Sequence, residues 1–306
     1  MATLTYQTAG ESHGKACIAL VHGMPKGVAI DEALVNHELR RRQGGYGRGG
    51  RQKIETDTVD LLTGVRGGRT IGAPVVMAVW NRDARLDDPQ RTPPLTRPRP
   101  GHADLAGSIK WLTTDCRETL ERASARETAA RVAAGALARC LLLAFGIEPF
   151  GFVRQVGEAR GRFEVDPDNW RSLAEQRDAS DCYCPDPDAD AAMKAFINDQ
   201  KQARDTAGGV VECHVFGCPP GLGTCANWFD KLDSRIAAAV MGIQAFKGVE
   251  IGLGFDVARR PGSKVHDEIF FDQARRDSPT LGFARGSNHA GGLEGGMTNG
   301  QPIVVR

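Results

Sequence analysis

Residues 122–132 read Arg-Ala-Ser-Ala-Arg-Glu-Thr-Ala-Ala-Arg-Val, and they open a stretch rich in alanine and leucine. Both residue types are strong helix formers, so the sequence predicts a long helix from about Ser124 to Phe145. A helix start exposes unpaired N–H groups, and the arginines and hydroxyls around this one suit an anion such as phosphate. A capping box formed by Ser124 and Glu127 accounts for the same residues without any ligand.

Hydrophobic patterning predicts the elements around this helix. Lys15–Gly23 has the pattern of a strand, and Asp31–Arg42 has helical spacing with Asp31 as its cap. Five prolines exclude regular helix from Asp83–Gly101 and predict a long extended loop there. A length of 306 residues is compatible both with one broad unit and with two fused halves. The order of strands followed by a helix occurs twice along the chain. Further strands are predicted at Thr58–Gly64, Ile71–Trp80, Phe150–Ala159 and Gly209–Phe216, and further helices at Ala191–Thr206 and Leu232–Phe246.

Composition limits the class of protein. The 306 residues carry 39 basic and 38 acidic side chains, and a net charge of +1 gives no overall attraction to nucleic acid or membrane. The first residues lack the basic start and apolar core of a signal peptide, and no apolar run approaches the roughly 20 residues of a membrane span. We therefore expect a cytoplasmic protein. Its eight cysteines are expected to be reduced, and their irregular spacing predicts no metal site.

Several short motifs carry chemical interest. Two contain a histidine beside glycine or proline: GESHG at residues 10–14 and RPGHAD at residues 99–104. Between them, residues 40–51 combine arginines with glycines, which let backbone N–H groups approach an anion while the guanidiniums supply charge. Such a segment also suits single-stranded RNA in a non-enzymatic protein, although the aromatic content of 6% disfavours that alternative. The segment around Gln244 and Ala245 is, on its own, more typical of a helix end than of a cofactor site.

Six motifs occur together in an order that is characteristic of one family: GESHG, RRQGGYGRGGR, RPGHAD, ERASARETAARVAAGA, IQAFKGVEIG and NHAGGLEGGMTNG. Over nearly its whole length the chain resembles chorismate synthase. The resemblance implies a mixed α/β (α+β) fold, an internally duplicated β-α-β sandwich with helices packed between antiparallel sheets, and a single domain over residues 1–306.

The resemblance also implies an activity. Chorismate synthases eliminate phosphate from 5-enolpyruvylshikimate 3-phosphate to give chorismate in the shikimate pathway of aromatic amino-acid biosynthesis. They are flavoproteins that need reduced FMN, although the reaction involves no net redox change. FAD is a related flavin, and NADPH is the candidate reductant of the bound flavin. A homotetramer is implied as well. An inactive fragment and a non-catalytic subunit of the same family are the alternatives to an active lyase.

The resemblance assigns roles residue by residue. His13 would protonate the leaving phosphate, and His102 would serve the pyrimidine side of the reduced flavin; both are the predicted catalytic residues. Predicted substrate contacts are Arg41, Arg48, Arg51 and Arg126. Predicted cofactor contacts are Arg42, Arg48, Arg122, Ala123, Ser124, Gln244, Ala245, Gly295 and Asn299. The remaining histidines at 22, 37, 214 and 266 are expected to be structural, and His289 to lie near the flavin loop.

The end of the sequence departs from the family pattern. It closes at Ile303-Val304-Val305-Arg306, where family members continue into a flavin-phosphate segment and an Arg-Ser-Asp segment with the presumed base. We therefore expect the sequence to be a fragment or a damaged gene product. The resemblance then gives no residue for the base, and it implies weaker flavin binding and impaired turnover for these 306 residues.

Overall fold

The structure is a computed structural model that describes Thr3–Arg306, apart from the side chains of residues 52 and 53. The chain divides into two compact units. The first holds the residues up to Gly44 together with Arg48–Ala144, and the second holds Gly45–Gly47 together with Phe145–Arg306.

The first unit is built on a four-stranded antiparallel sheet in the order β1-β2-β6-β3. Its register places Ala16 opposite Trp80 and Val21 opposite Val75. A short two-stranded ribbon, β4 with β5, lies outside the sheet. The strands are β1 (Thr5–Ala9), β2 (Ala16–His22), β3 (Asp60–Thr63), β4 (Val65–Arg66), β5 (Arg69–Thr70) and β6 (Val75–Trp80), and the helices are α1 (Glu32–Gln43), α2 (Asp104–Trp111), α3 (Arg117–Ala123) and α4 (Thr128–Leu143).

Helix α4 packs on this sheet and also packs against α1. Its buried positions are mostly alanines, among them Ala129, Ala130 and Ala133, all without exposed surface. Small side chains let the helix approach the sheet closely, where they meet Ala19, Met77 and their neighbours in one core cluster. The alanine-rich sequence therefore fixes both the helix and its distance from the sheet.

The second unit contains another four-stranded antiparallel sheet, in the order β14-β9-β7-β8. Helices α5 and α6 pack against β7, and aromatic side chains fill the space between α5 and the sheet. Trp170 stacks on Phe216 with ring centroids 5.2 Å apart. The strands are β7 (Glu148–Val156), β8 (Ala159–Arg160), β9 (Gly209–Phe216), β10 (Ile269–Phe271), β11 (Phe283–Arg285), β12 (Leu293–Glu294), β13 (Met297–Thr298) and β14 (Ile303–Val305), and the helices are α5 (Trp170–Ala179), α6 (Pro187–Ala203) and α7 (Leu232–Met241). Short 3-10 helices lie at Gly50–Lys53, Ala125–Glu127, Gly254–Arg259, Gly262–Lys264 and Gln273–Arg275.

Most predicted elements are confirmed. The strand at Gly209–Phe216 has the predicted bounds, and Asp31 caps α1 by accepting the N–H of Leu34 at 3.0 Å. The proline-rich segment from 83 to 101 forms turns and extended chain without regular helix. The two units, each with sheet and helices, confirm the mixed fold class.

Other predictions are wrong in detail. The helix that starts at Leu232 ends at Met241 rather than at Phe246. The strand predicted at Phe150–Ala159 ends at Val156, because a turn separates it from β8. Two short helices, α2 and α3, were not predicted at all.

The capping box at the start of the long helix is also wrong. Ser124 Oγ accepts the N–H of Arg126 rather than that of Glu127 and starts a 3-10 turn, after which α4 begins at Thr128. The Glu127 carboxylate instead accepts from the Thr8 hydroxyl and contacts Arg131.

Two further observations concern residues 3–306 only. None of the helices there is long and apolar enough to cross a membrane. All eight cysteines are free thiols, and this part of the chain holds no group of three or more His, Cys, Asp or Glu side chains arranged for a metal ion.

Candidate active site

His13 lies in the tight loop that joins β1 to β2 in the first unit. The loop begins at Gly10, whose φ of +97° is strained for other residues. A Cβ atom at Gly10 would lie 2.0 Å from the carbonyl oxygen of Ala16, so glycine is required there for two independent reasons. Asn81, at the end of β6, holds the loop through its amide, which donates to the carbonyl oxygens of Glu11, Ser12 and Gly14.

The two nitrogens of the His13 ring face different groups. Nδ1 lies 2.9 and 3.0 Å from the carboxylate oxygens of Glu121, a residue in the last turn of α3 that is buried. Nε2 lies 3.4 Å from an Nη atom of Arg51 and of Arg85, and 3.5 Å from Asp83 Oδ2. The ring therefore stands between a carboxylate on one side and a mainly cationic group on the other.

A cavity of about 150 Å³ lies in the same unit, and four arginines line it. Its other lining residues include hydroxyls and one carboxylate. An ion of phosphate size suits both its volume and its charge, because guanidinium forks bind phosphate and carboxylate through paired charge-assisted hydrogen bonds. The lining residues are Arg42, Arg48, Arg51, Glu55, Ser124, Ala125, Arg126 and Thr128.

Buried ion pairs hold the inner arginines in place. Arg126 donates from Nη1 to both oxygens of Asp57 at 2.7 and 2.8 Å, and from Nε to Asn81 at 2.8 Å. Arg42 donates to Asp57 at 3.1 Å and to Thr128 at 3.0 Å. Arg126 Nη2 is buried and has no hydrogen-bond partner within the described part of the chain, with Glu55 3.8 Å away. The Nη2 group of Arg126, a buried guanidinium held by Asp57 and Asn81, can therefore donate to a ligand.

Glu55 anchors the third arginine, Arg51, at its Nε and Nη2. Burial works to raise the pKa of the Glu55 carboxyl, but backbone N–H groups of Arg82 and Asp83 and the nearby guanidiniums outweigh burial and lower it. Arg51 also donates to the hydroxyl and carbonyl oxygens of Ser12. The guanidinium of Arg51 therefore lies beside both the cavity and the His13 ring.

His102 lies just before α2, and its Nδ1 is hydrogen-bonded to Asp104. Asp104 is buried and accepts three further bonds from Arg99, from Nε at 2.9 Å, from the backbone N–H at 3.1 Å and from Nη2 at 3.3 Å. Burial works to raise the pKa of Asp104, but the bonds from Arg99 and His102 outweigh it and lower the pKa to about 2. A charged carboxylate thus holds the second predicted catalytic histidine as well.

The other predicted residues of this unit are partly engaged elsewhere. Arg41 pairs with Glu38, which also accepts from Arg139 at 2.6 Å, and Arg41 is not among the residues that line the cavity. Arg122 donates to the carbonyl oxygens of Thr8 and Gly10. Ala123 is the last residue of α3, directly before the cavity-lining Ser124. Arg48 lines the cavity and donates from Nε to the Gly44 carbonyl at 2.9 Å.

The four remaining predicted residues lie in the second unit. Gln244 and Ala245 form a turn after α7, and Ala245 has a φ of +68°. Gly295 lies in the two-residue turn between β12 and β13, where a Cβ atom would meet nothing within 4 Å. Asn299 follows β13 and donates to Glu294 Oε1 at 3.0 Å.

A larger cavity of about 830 Å³ also lies within the second unit. A buried network lines it, in which Glu212 accepts from Arg154 at 2.7 Å and from Arg306 at 2.7 Å. His214 is 2.7 Å from Glu212 and stacks against Phe152 and Phe216, which agrees with a structural role. His289 lines this cavity, where its Nδ1 is 3.2 Å from the Val265 carbonyl oxygen.

The sequence analysis missed the carboxylates and the amide that hold the site. Glu121 opens the motif that contains Arg126, one helical turn before Ser124, so the motif itself gave a signal for it. Asp83 lies at the start of the proline-rich loop and gave no comparable signal. No sequence motif marks Asp57, Glu55 or Asn81. Their role is visible only in the folded chain, where each contacts Arg126, a residue far from it in sequence.

The first unit combines mixed α and β structure with a small arginine-lined cavity and a histidine held by a carboxylate, an arrangement that suits an enzyme with an anionic substrate. A family model for chorismate synthase matches residues 4–306. The chorismate synthase of Geobacter metallireducens is 52% identical, covering 99% of this chain and 79% of that protein. The chorismate synthase of Aquifex aeolicus is 47% identical, covering 99% of this chain and 78% of that protein. A crystal structure of chorismate synthase matches with a TM-score of 0.82 and 43% identity, over 99% of this chain and 83% of the other.

The chain belongs to the chorismate synthase family, and it is accordingly a lyase of aromatic amino-acid biosynthesis. The family assignment from the six sequence motifs is confirmed.

Proposed function

We propose that the first unit binds 5-enolpyruvylshikimate 3-phosphate through its phosphate and that His13 assists the departure of this phosphate to give chorismate. The observation that carries the proposal is the arginine cavity, with the orphaned Nη2 of Arg126 among its lining residues. Arg51 links the cavity to the His13 ring, because it lines the cavity and lies 3.4 Å from Nε2.

The arginines would bind and orient the substrate. Arg126, Arg51 and Arg48 line the cavity and are the proposed contacts to phosphate or carboxylate. Their charge favours the departing phosphate, since a fixed cation stabilises negative charge that develops as the carbon–oxygen bond breaks. Arg41 is kept as a proposed contact from the family resemblance, although its Glu38 pair makes it the weakest of the four.

The two histidines would handle protons. His13 carries the proton for the phosphate on the nitrogen that faces Arg51 and Arg85. An imidazole suits this task because it exchanges a proton near neutral pH. His102, held by Asp104, is the proposed donor to the pyrimidine side of the flavin.

The family implies a reduced flavin, and the residues present fit a flavin ring. Gln244 can donate and accept at once, as the edge of the ring requires, and the open space at Gly295 lets a flat ring approach the backbone. We propose these two, with Ala245 and Asn299, as flavin contacts. From the family resemblance we propose the same role for Arg122, Ala123 and Ser124. Bound reduced FMN would supply transient electron donation to the substrate.

Finer assignments rest on the resemblance to the family. We propose NADPH as the reductant of the flavin, with Arg42 and Arg48 near its phosphate, and a homotetramer in the cytoplasm as the working form. Exposed apolar side chains on and just after α2 support assembly: Leu105, Ile109, Trp111 and Leu112 are 57–93% exposed.

An RNA-binding role is disfavoured, because Arg41, Arg42 and Arg51 are paired with carboxylates.

The test is anaerobic turnover. Purified chain, photoreduced FMN and 5-enolpyruvylshikimate 3-phosphate are mixed, and the release of inorganic phosphate is followed together with the absorbance of chorismate. We expect product only with reduced flavin, and a loss of about two to four orders of magnitude in His13→Ala. His22→Ala, at the exposed end of β2, is the matched control. Full turnover in His13→Ala would overturn the role of this histidine, and the absence of turnover in the parent would overturn the proposed activity.

A further inference from the structure

The carboxylate of Glu121 is a fully buried acidic group near the proposed site, with 1% of its residue surface exposed. It does not line the arginine cavity. It nevertheless accepts the backbone N–H of His13 at 2.8 Å and approaches the ring Nδ1 at 2.9 Å. The carbonyl oxygen of Glu121 also accepts the N–H of Ser12 at 3.0 Å. A single residue of α3 therefore fixes both the backbone and the ring of the loop that carries His13.

We infer that Glu121 is a positioning residue that holds His13 with its proton on Nδ1 and directs Nε2 towards the phosphate of the substrate. This inference rests on the proposed function. It follows from the contacts of the carboxylate, because an ionised carboxylate only accepts hydrogen bonds and the adjacent ring nitrogen must then be the donor. When the ring is doubly protonated its second proton sits on Nε2, and this proton moves to a phosphate oxygen while Nδ1 keeps its own. The ring is then neutral with its remaining proton on Nδ1, and the Glu121 carboxylate takes no part in the transfer.

The groups around Nε2 fit that direction. Arg51, from the 3-10 turn after α1, and Arg85, from the loop after β6, each place a guanidinium nitrogen 3.4 Å from Nε2. Asp83, from the same loop as Arg85, places a carboxylate oxygen 3.5 Å from Nε2. A phosphate held by the two arginines would lie on the Nε2 side of the ring. On the other side, Arg117 lies 3.5 Å from Glu121 and helps to offset its buried charge.

The matched variants are Glu121→Gln and Glu118→Gln. The first keeps the size and the acceptor for the backbone N–H of His13, but its amide can donate to Nδ1 and so stabilise the opposite tautomer. The second makes the same change on the same helix at an exposed position. Glu121→Asp restores the charge with a shorter side chain. If Glu121 positions the ring, Glu121→Gln lowers kcat by about two to four orders of magnitude, as for loss of a general acid. KM stays within about threefold of the parent, because Glu121 does not contact the anion cavity.

A readout apart from turnover separates this inference from the proposed function. Each protein is prepared with ¹⁵N-labelled histidine, and the ring signals of His13 are assigned from their loss in His13→Gln. We expect the parent and Glu118→Gln to show the proton on Nδ1 at pH 8, Glu121→Gln to show it on Nε2, and Glu121→Asp to return towards the parent in tautomer and in kcat.

Several results would overturn the inference. An unchanged tautomer in Glu121→Gln would remove the positioning role whether or not the chain turns over the proposed substrate. A changed tautomer with parental kcat would mean that the ring orientation does not matter to the reaction. A raised KM at parental kcat would make Glu121 a binding residue. If Glu121→Gln does not fold, Glu121→Asp decides: parental kcat and tautomer with the shorter side chain support the charge as the cause, and loss of the Nδ1 proton in a folded Glu121→Asp contradicts it.

Discussion

Arg126→Lys tests whether the guanidinium fork, rather than its charge, binds the anion. Arg126 uses Nε for Asn81 and Nη1 for Asp57, and its Nη2 remains without a hydrogen-bond partner in the described chain. A lysine has one ammonium group and cannot serve Asp57, Asn81 and a ligand together. If it stays with Asp57, the anion loses one charge-assisted bond of about 1.5–3 kcal/mol, which weakens affinity by about 10- to 150-fold.

The assay is isothermal titration with inorganic phosphate and with 5-enolpyruvylshikimate 3-phosphate. Arg131→Lys is the matched control: it lies in the same motif, pairs with Glu127 and does not line the cavity, so its affinity should stay within about twofold of the parent. Urea unfolding checks the fold, since the orphaned side-chain oxygen of Asn81 should cost about 1–3 kcal/mol. Parental affinity in a folded Arg126→Lys would refute the reasoning, because the charge alone would then suffice.

Three other outcomes are expected. Phosphate at 100 times its Kd should stabilise the first unit by about 2.7 kcal/mol and raise its melting temperature above that in chloride of equal ionic strength; equal melting temperatures would contradict an anion site. Because the pKa of Asp104 is lowered to about 2, its stabilising effect is present at pH 5 and declines on acidification, so the parent should lose about 1 kcal/mol more than Asp104→Asn between pH 5 and pH 3 in urea titrations. Equal pH slopes would remove that linkage. Gly10→Ala should lose more than about 2 kcal/mol of stability, whereas Gly27→Ala, with similar positive φ but open space, should lose only about 1 kcal/mol; equal losses would mean that the close contact with Ala16 is unimportant.

Local signals in the sequence predicted much of the fold. The long alanine-rich helix, the strand at Gly209–Phe216 and the cap at Asp31 depend on neighbouring residues, and a single sequence contains that information. The helices α2 and α3 were missed because each is short and α2 contains Gly107, a poor helix former. Gly107 has a tertiary reason: a Cβ atom there would lie 2.2 Å from the side chain of Thr119 in α3.

The candidate site was predicted less completely, for a physical reason. The motifs in the sequence supplied the groups that are proposed to act on a ligand, such as His13 and Arg126. The motifs did not identify the partners of these groups, because Glu121 is 108 residues from His13 and Asp57 is 69 residues from Arg126. Pairing over such distances is decided by the sheet and helix packing of the whole unit, and no local pattern records it.

Those partners show how the proposed site would bind an anion. Within the described residues that surround the cavity, two buried carboxylates, Asp57 and Glu55, face the guanidiniums of Arg42, Arg51 and Arg126, and Arg48 adds a further cation. The carboxylates fix the arginines but do not neutralise all of their charge, and excess charge in a partly buried place is costly. A bound phosphate would remove that excess and would need little rearrangement, because the guanidinium forks are already held. Asn81 connects these arginines to the histidine loop. Its side-chain amide accepts a hydrogen bond from Arg126 and donates to the carbonyl oxygens of Ser12 and Gly14, on either side of His13. In the proposed function, binding of the anion and placement of the proton donor would therefore be two consequences of one network.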